Sequence, residues 1–243
     1  MVTDHSTMPR IVVYICPQSR CDIVPHAFYR DAAPDLLLDV RHEPITSYDV
    51  TQGRRILEGL DHGLLRDPEN TAQVVIGGSA LSLSYRWPEL VAAAEAVSRR
   101  VGVDVVTDMM LLVSQLAELP MPIAVAHRLA GVSDAHLVDF FASAGIACEG
   151  VISAAADPEH NGRMSLADSS EEAVRLSELT MESHPDARTL VLLGGTWWTQ
   201  AAQQLIESTG RHVVTNVGAI THAHRRAAQP ARATSTDRGR SHA

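Results

Sequence analysis

The chain repeats itself. Residues 74–80 read VVIGGSA and are followed at 102–108 by GVDVVTD, while residues 191–197 read VLLGGTW and are followed at 210–216 by GRHVVTN. Each copy is an apolar run ending in Gly-Gly-Ser/Thr, a segment of helical period, a glycine, and a second β-branched run ending in Thr-Asp or Thr-Asn. Two further runs, IVVYICPQS at 11–19 and IAVAHRLAG at 123–131, each open one half. A chain of this kind is constrained to two lobes built on one plan.

The 243 residues leave roughly 110 for each lobe, enough for a separate core. Short β-branched runs at 11–15, 74–78, 103–107, 123–127, 151–155, 190–195 and 212–215 alternate with longer segments of helical period. That alternation predicts buried parallel strands with covering helices. The segments LVAAAEAVSRR, DAHLVDFFASAG, SSEEAVRLSELTMES and TQAAQQLIESTG space their apolar residues by three and four, as amphipathic helices do. Ser133 or Asp134 is placed to start one helix, Ser169 with Glu172 has capping-box spacing, and Gly145 and Gly210 are placed as stops. The expected fold class is therefore α/β, with two pseudo-symmetric Rossmann-like lobes, parallel sheets, and a site at the lobe interface. Residues 10–110 with 217–228 are expected to form the first lobe and 111–216 the second. Residues 1–9 and 229–243 lack periodicity and are expected to be mobile tails.

Composition removes several function classes. A formal charge of −9 offers no basic footprint for a nucleic-acid partner. No apolar run approaches the roughly 20 residues that span a bilayer, and MVTDHSTMPR lacks the apolar core of a signal peptide, so no membrane partner and a cytoplasmic location are expected. Cys16, Cys21 and Cys148 are too few for a disulfide framework or a zinc site and are expected as free thiols. His222 and His224, two apart on an expected helix, point to different faces and hold no metal. Neither GGSALS nor GGTWWT has dinucleotide-fingerprint spacing, and no P-loop is present, so no nucleotide cofactor is expected.

The chemistry is expected at the strand ends, where ligands bind in open parallel sheets. The pairs Gly77-Gly78 and Gly194-Gly195 let backbone approach a ligand, the amides of the following helical turn can hold a carboxylate or a developing oxyanion, and Ser79 and Thr196 add hydroxyl donors. Asp108 and Asn216 end the paired runs VVTD and VVTN, so the repeat directs both towards one interface. A carboxylate there in partly apolar surroundings could serve as acid or base. Trp197, beside Trp198, follows the second turn and can line an apolar pocket.

The order of these runs, the two symmetric turns and the stretches ICPQSRCDIVPHAFYRDAAPDLLLDV, SYDVTQG, VVIGGSALSLSYR and VDVVTD resemble the aspartate/glutamate racemase superfamily, in particular its arylmalonate decarboxylase and maleate cis-trans isomerase branch. The likeness covers residues 10–228. It implies two Rossmann-like lobes with the site between them, no cofactor, and chemistry through an enolate at the carbon next to a carboxylate. Racemases and maleate isomerases of this group use one cysteine per lobe at the tips of the two symmetric strands; decarboxylases keep the second and use a Gly-Thr-Ser-like turn in the first lobe as an oxyanion hole. Here the first turn reads Gly78-Ser79-Ala80, close to the decarboxylase form, and the second reads Leu193-Gly194-Gly195-Thr196, so that Gly195, or Gly194 if the register slips by one, stands where the family has cysteine.

Glycine cannot carry a proton, which disfavours both two-base racemisation and thiol addition. The resemblance offers Tyr48, which matches a tyrosine lining the decarboxylase pocket, and Cys16 with Pro17, Gln18 and Ser19, which lie where the family loop meets substrate. The expected catalytic set is Tyr48, Asp108 and Cys16. The expected activity is a cofactor-independent lyase or isomerase on a small carboxylate or carbonyl substrate; a ligand-binding protein without chemistry and a biosynthetic cyclase or dehydratase are the alternatives. A homodimer is the commonest symmetric assembly.

Overall fold

The computed structural model describes residues 10–15, 38–42, 50–59, 71–129, 131–154, 166–194 and 198–228. The first sheet contains β1 (Arg10–Ile15), β2 (Leu38–His42), β3 (Thr71–Gly77) and β4 (Asp104–Thr107), in the order β2-β1-β3-β4. The second contains β5 (Ile123–His127), β6 (Cys148–Ser153), β7 (Thr189–Leu193) and β8 (His212–Thr215), in the order β6-β5-β7-β8. All six pairings are parallel. The two sheets thus share one topology, as the repeat predicts.

Helix α1 (Val50–Glu58) precedes β3, the short α2 (Ser79–Ser82) and α3 (Trp87–Val101) join β3 to β4, and α4 (Asp108–Leu116) follows β4 directly. In the second half α5 (Asp134–Ser143), α6 (Leu166–Ser183) and α7 (Trp198–Thr209) connect the strands, and α8 (Asn216–Ala228) follows β8 directly.

The interior strands are wholly apolar or nearly so because helices cover both faces. Every residue of β5 and β7 is buried. Edge strand β6 is less covered, with only Gly150 buried. Strand β2 was not expected from the sequence: its LDVRH places Asp39, Arg41 and His42 among its five residues, a charge content suited to a sheet edge rather than to an apolar run. Helix α3 buries Leu90, Ala94, Val97 and Val101 as one stripe, and stops at Gly102, whose φ of 73° only glycine adopts freely.

Ser133, not Asp134, caps α5, its hydroxyl accepting from the His136 amide at 3.3 Å. Gly145 and Gly210 follow their helices at φ 76° and 66°. The Ser169–Glu172 capping box does not form: α6 already runs through Ser169, having begun by Leu166, and the Glu172 carboxylate goes to Arg128.

The halves are packed as one body. A single buried cluster runs from Val74, Ile76 and Leu90 through Met109, Leu112 and Leu116 of α4 to Ile123, Val125, Val191 and Leu193. Trp87 meets Phe140 edge-on with centroids 6.0 Å apart, and His136 Nε2 lies 2.6 Å from the Leu83 carbonyl oxygen. Helices α4 and α8 pack side by side and run parallel, since Asp108 meets Asn216 at their starts and Glu118, just past the end of α4, meets Arg226 in the last turn of α8.

Candidate functional site

In each sheet the chain turns from one side to the other between the first strand and the third, so the crevices for a ligand open at the carboxyl ends of β1/β3 and β5/β7. Strand β3 ends at Gly77, and Gly78 takes φ 134° before α2 begins. Strand β7 ends at Leu193, and Gly194 takes φ 113°. Both conformations are strained for any residue with a Cβ. The repeat is one residue out of register here: the turning glycine is the second of its pair in the first lobe and the first of its pair in the second.

Thr107 and Thr215 end β4 and β8 and cap the helices that follow. The Thr107 hydroxyl accepts from the Met110 amide at 3.2 Å, and the Thr215 hydroxyl from the Gly218 amide at 2.8 Å. These caps set the next residues, Asp108 and Asn216, at the first turns of two adjacent helices. The Asn216 Nδ2 amide donates to Asp108 Oδ2 at 2.9 Å. The two ends of the repeat therefore touch.

Asp108 has no exposed surface. Its carboxylate accepts five hydrogen bonds: at Oδ2 from the Gly78 amide (3.1 Å), the Ser79 hydroxyl (3.1 Å) and Asn216, and at Oδ1 from the Met109 amide (2.8 Å) and the Ser82 hydroxyl (3.2 Å). Burial raises the pKa of this carboxyl, and the donors from Asn216, Gly78, Ser79 and Met109 offset part of that rise. Because N–H groups, which cannot accept a proton, sit on both oxygens, the cage fits the ionised form. Among the described residues no cation pairs with it. The Gly78 amide and the Ser79 hydroxyl, expected to face a ligand, are instead bonded to this internal carboxylate.

The second turn is held by the opposite charge. Arg128, 2% exposed, follows the last residue of β5; its amide donates to the Leu193 carbonyl at 3.2 Å and its Nε to the Gly194 carbonyl at 2.8 Å. Its Nη1 pairs with Glu172 Oε2 at 3.2 Å. Burial pulls the guanidinium below its ordinary value and Glu172 opposes the shift. Beside it, the buried His127 accepts from the Leu129 amide at Nδ1 (3.1 Å), which puts the ring proton on Nε2, 3.0 Å from Asp134 Oδ1. Burial lowers its pKa, with Asp134 opposing.

Arg128, Glu172 and Ser82 were not expected from the sequence. A signal existed, since the two opening runs superpose Cys16 on Arg128, and a cation directly after the strand run IAVAH, apolar but for its final histidine, must be buried with a partner. Of the expected residues, the fold brings Gly78, Ser79, Asp108 and Asn216 together, and places Gly194 against Arg128. Ala80 lies in α2. Cys16, Pro17, Gln18, Ser19, Tyr48, Gly195, Thr196 and Trp197 lie outside the described residues.

Cys148 begins β6 opposite Ile123, the first residue of β5, and so lies at the end of the sheet remote from both turns. Burial pushes its thiol up to about 11. A cleft of about 490 Å³ lined by Arg188, Arg211, His212 and Asp186 also lies at that remote end. Among the described residues no group of three His, Cys, Asp or Glu is placed to hold a metal, and no helix is long and apolar enough to cross a membrane.

No family model and no curated protein matches this sequence. Solved structures do. Unliganded arylmalonate decarboxylase superposes with a TM-score of 0.67 at 21% identity, covering 92% of this chain and 94% of that one. The chain shares the fold of these solved structures. A cysteine-to-serine mutant of maleate cis-trans isomerase from Nocardia farcinica, with a covalently bound succinylcysteine intermediate, gives a TM-score of 0.65 at 11% identity, covering 90% and 92%. Allantoin racemase from Pseudomonas fluorescens gives 0.56 at 16%, covering 96% and 99%. Within this fold, the Asp108 cage and the Arg128 brace stand at the carboxyl ends of β3 and β5.

Proposed function

We propose that the chain is a cofactor-independent lyase or isomerase, decarboxylase-like, that acts on a small carboxylic acid through an enolate without a pair of catalytic cysteines. The observation that supports this reading is the Asp108–Asn216 bond, which ties the first-lobe glycine turn to the end of the second-lobe strand β8. The fold neighbours named decarboxylase, isomerase and racemase support it.

In the decarboxylation, the bond from the α-carbon to the carboxylate breaks, carbon dioxide leaves, and the electron pair stays on the α-carbon as an enolate. Amides of the first helical turn after Gly78, and of Gly195 and Thr196, stabilise the enolate oxygen; each such donor contributes a factor of about 10² to 10³. A proton then returns to the α-carbon from Tyr48 or Cys16. Asp108 is assigned a positioning role, because its lone pairs are committed to five donors and it acts on substrate only through the turn that it holds.

The test is proton NMR of the purified protein with substituted malonates, their half-amides, maleate and amino acids in deuterated water. Loss of carboxylate, a new trans alkene or deuterium at the α-carbon supports the reading. No change in any of them, with ligand-dependent thermal stabilisation, makes the chain a binding protein instead.

A further inference from the structure

The two turns differ in charge, and the difference bears on what can lie between them. Beneath the first is the Asp108 carboxylate, fully buried and without a cation among the described residues. It already takes the Gly78 amide and the Ser79 hydroxyl, the donors that a ligand carboxylate would otherwise use there. Beneath the second is the Arg128 guanidinium, bonded to the Gly194 carbonyl and balanced by Glu172. A ligand that spans the turns thus meets a fixed negative charge at one end and a neutralised cation at the other.

We infer that Asp108 is a built-in carboxylate that sets specificity: the site takes a monoanionic acid whose second function is a neutral carbonyl, such as a β-keto acid or a malonic half-amide, and excludes dicarboxylates. The inference rests on the proposed function for the placement of ligand between the turns. The anionic end lies on the second-lobe side and the neutral carbonyl on the first. Like charges about 5 Å apart at an effective dielectric near 20 repel enough to cost about a hundredfold in affinity.

The experiment is calorimetric titration of the full chain near pH 8, where both carboxyls of a malonate are ionised, with three probes: phenylmalonate, its monoamide and its monomethyl ester. The wild type is expected to bind the monoamide and the ester at least about tenfold more tightly than the dianion. Asp108→Asn removes the charge at nearly equal volume, with its NH2 set against one of the N–H donors, and is expected to bring dianion and monoamide within about threefold of each other. Equal or tighter binding of the dianion by the wild type, an unchanged ratio in Asp108→Asn, or binding of none of the probes overturns the inference. Should Asp108→Asn not fold, the wild-type series decides: the ester must follow the monoamide, and an ester that follows the dianion removes charge as the discriminator.

Turnover separates the two readings. A wild type that prefers the half-amide but converts nothing retains the inference and loses the proposed function. One that decarboxylates dianion and half-amide equally does the reverse.

Discussion

Asn216→Asp would place a second carboxyl where an amide now donates to Asp108 at 2.9 Å. Two carboxylates about 3 Å apart at an effective dielectric near 20 repel by about 5 kcal/mol. The folded variant escapes by binding one proton between them, which at pH 7 costs about 4 kcal/mol for a group whose unfolded pKa is near 4. The folded pKa of the pair is thus raised above the unfolded value, and the unfolded state binds fewer protons across the interval. Stability then falls as pH rises, by about 1.4 kcal/mol per unit from roughly pH 4 towards neutrality. Against the total of about 5 to 15 kcal/mol for an ordinary domain, that is a large share. Urea unfolding of the variant and the wild type at several pH values reads it directly: the gap should be small near pH 4 and widen with each unit. A gap independent of pH would refute the inter-lobe contact and the reasoning built on it.

Three further outcomes follow from local geometry. Gly194→Ala forces a side chain into φ 113° with its Cβ 2.9 Å from Arg128 Cγ and 3.2 Å from the Arg128 backbone nitrogen; an unfolding measurement should show a loss of at least about 1 to 3 kcal/mol, and a loss under about 0.5 kcal/mol, the range of an ordinary surface change, contradicts the turn. His127 is held neutral by burial, so its contribution is complete above the unfolded pKa near 6.5 and is lost as pH falls towards the lowered folded value; the wild type should lose stability in that window relative to His127→Gln, and parallel curves would count against it. With the Cys148 thiol pushed up to about 11, a Cys16→Ser, Cys21→Ser variant should react with a disulfide reagent only slowly at neutral pH and rapidly once unfolded; immediate labelling of the folded protein would show an accessible thiolate.

The two-lobed plan was legible because a buried parallel strand is nearly pure apolar sequence and ends abruptly at glycine, so IAVAH, TLVLL and VVIGG announce themselves. The meeting of Asp108 with Asn216 was legible for a different reason: equal positions in a two-fold repeat lie at equal distances from the axis, and strand ends near that axis converge. Strand β2 was hidden by its charges, and the start of α6 by a serine that resembled a cap but sits inside the helix. The direction in which donors point was not legible at all. Gly78 and Ser79 carry amides and a hydroxyl in any fold, but only packing shows that these groups are bonded to Asp108. Arg128 is the reverse case, since its position was in the repeat but its role required Glu172, 44 residues away.

Enolate formation at this site is read by α-proton exchange. Phenylacetate or a related monocarboxylate with an acidic α-hydrogen would be incubated in deuterated water with the wild type and with Gly194→Ala, and deuterium at the α-carbon followed by proton NMR. Enolate chemistry between the two braced turns predicts incorporation by the wild type and its loss, by about 10² or more, in the variant, whose second turn can no longer present its donors. Incorporation at equal rates in both proteins, or in neither, would contradict it.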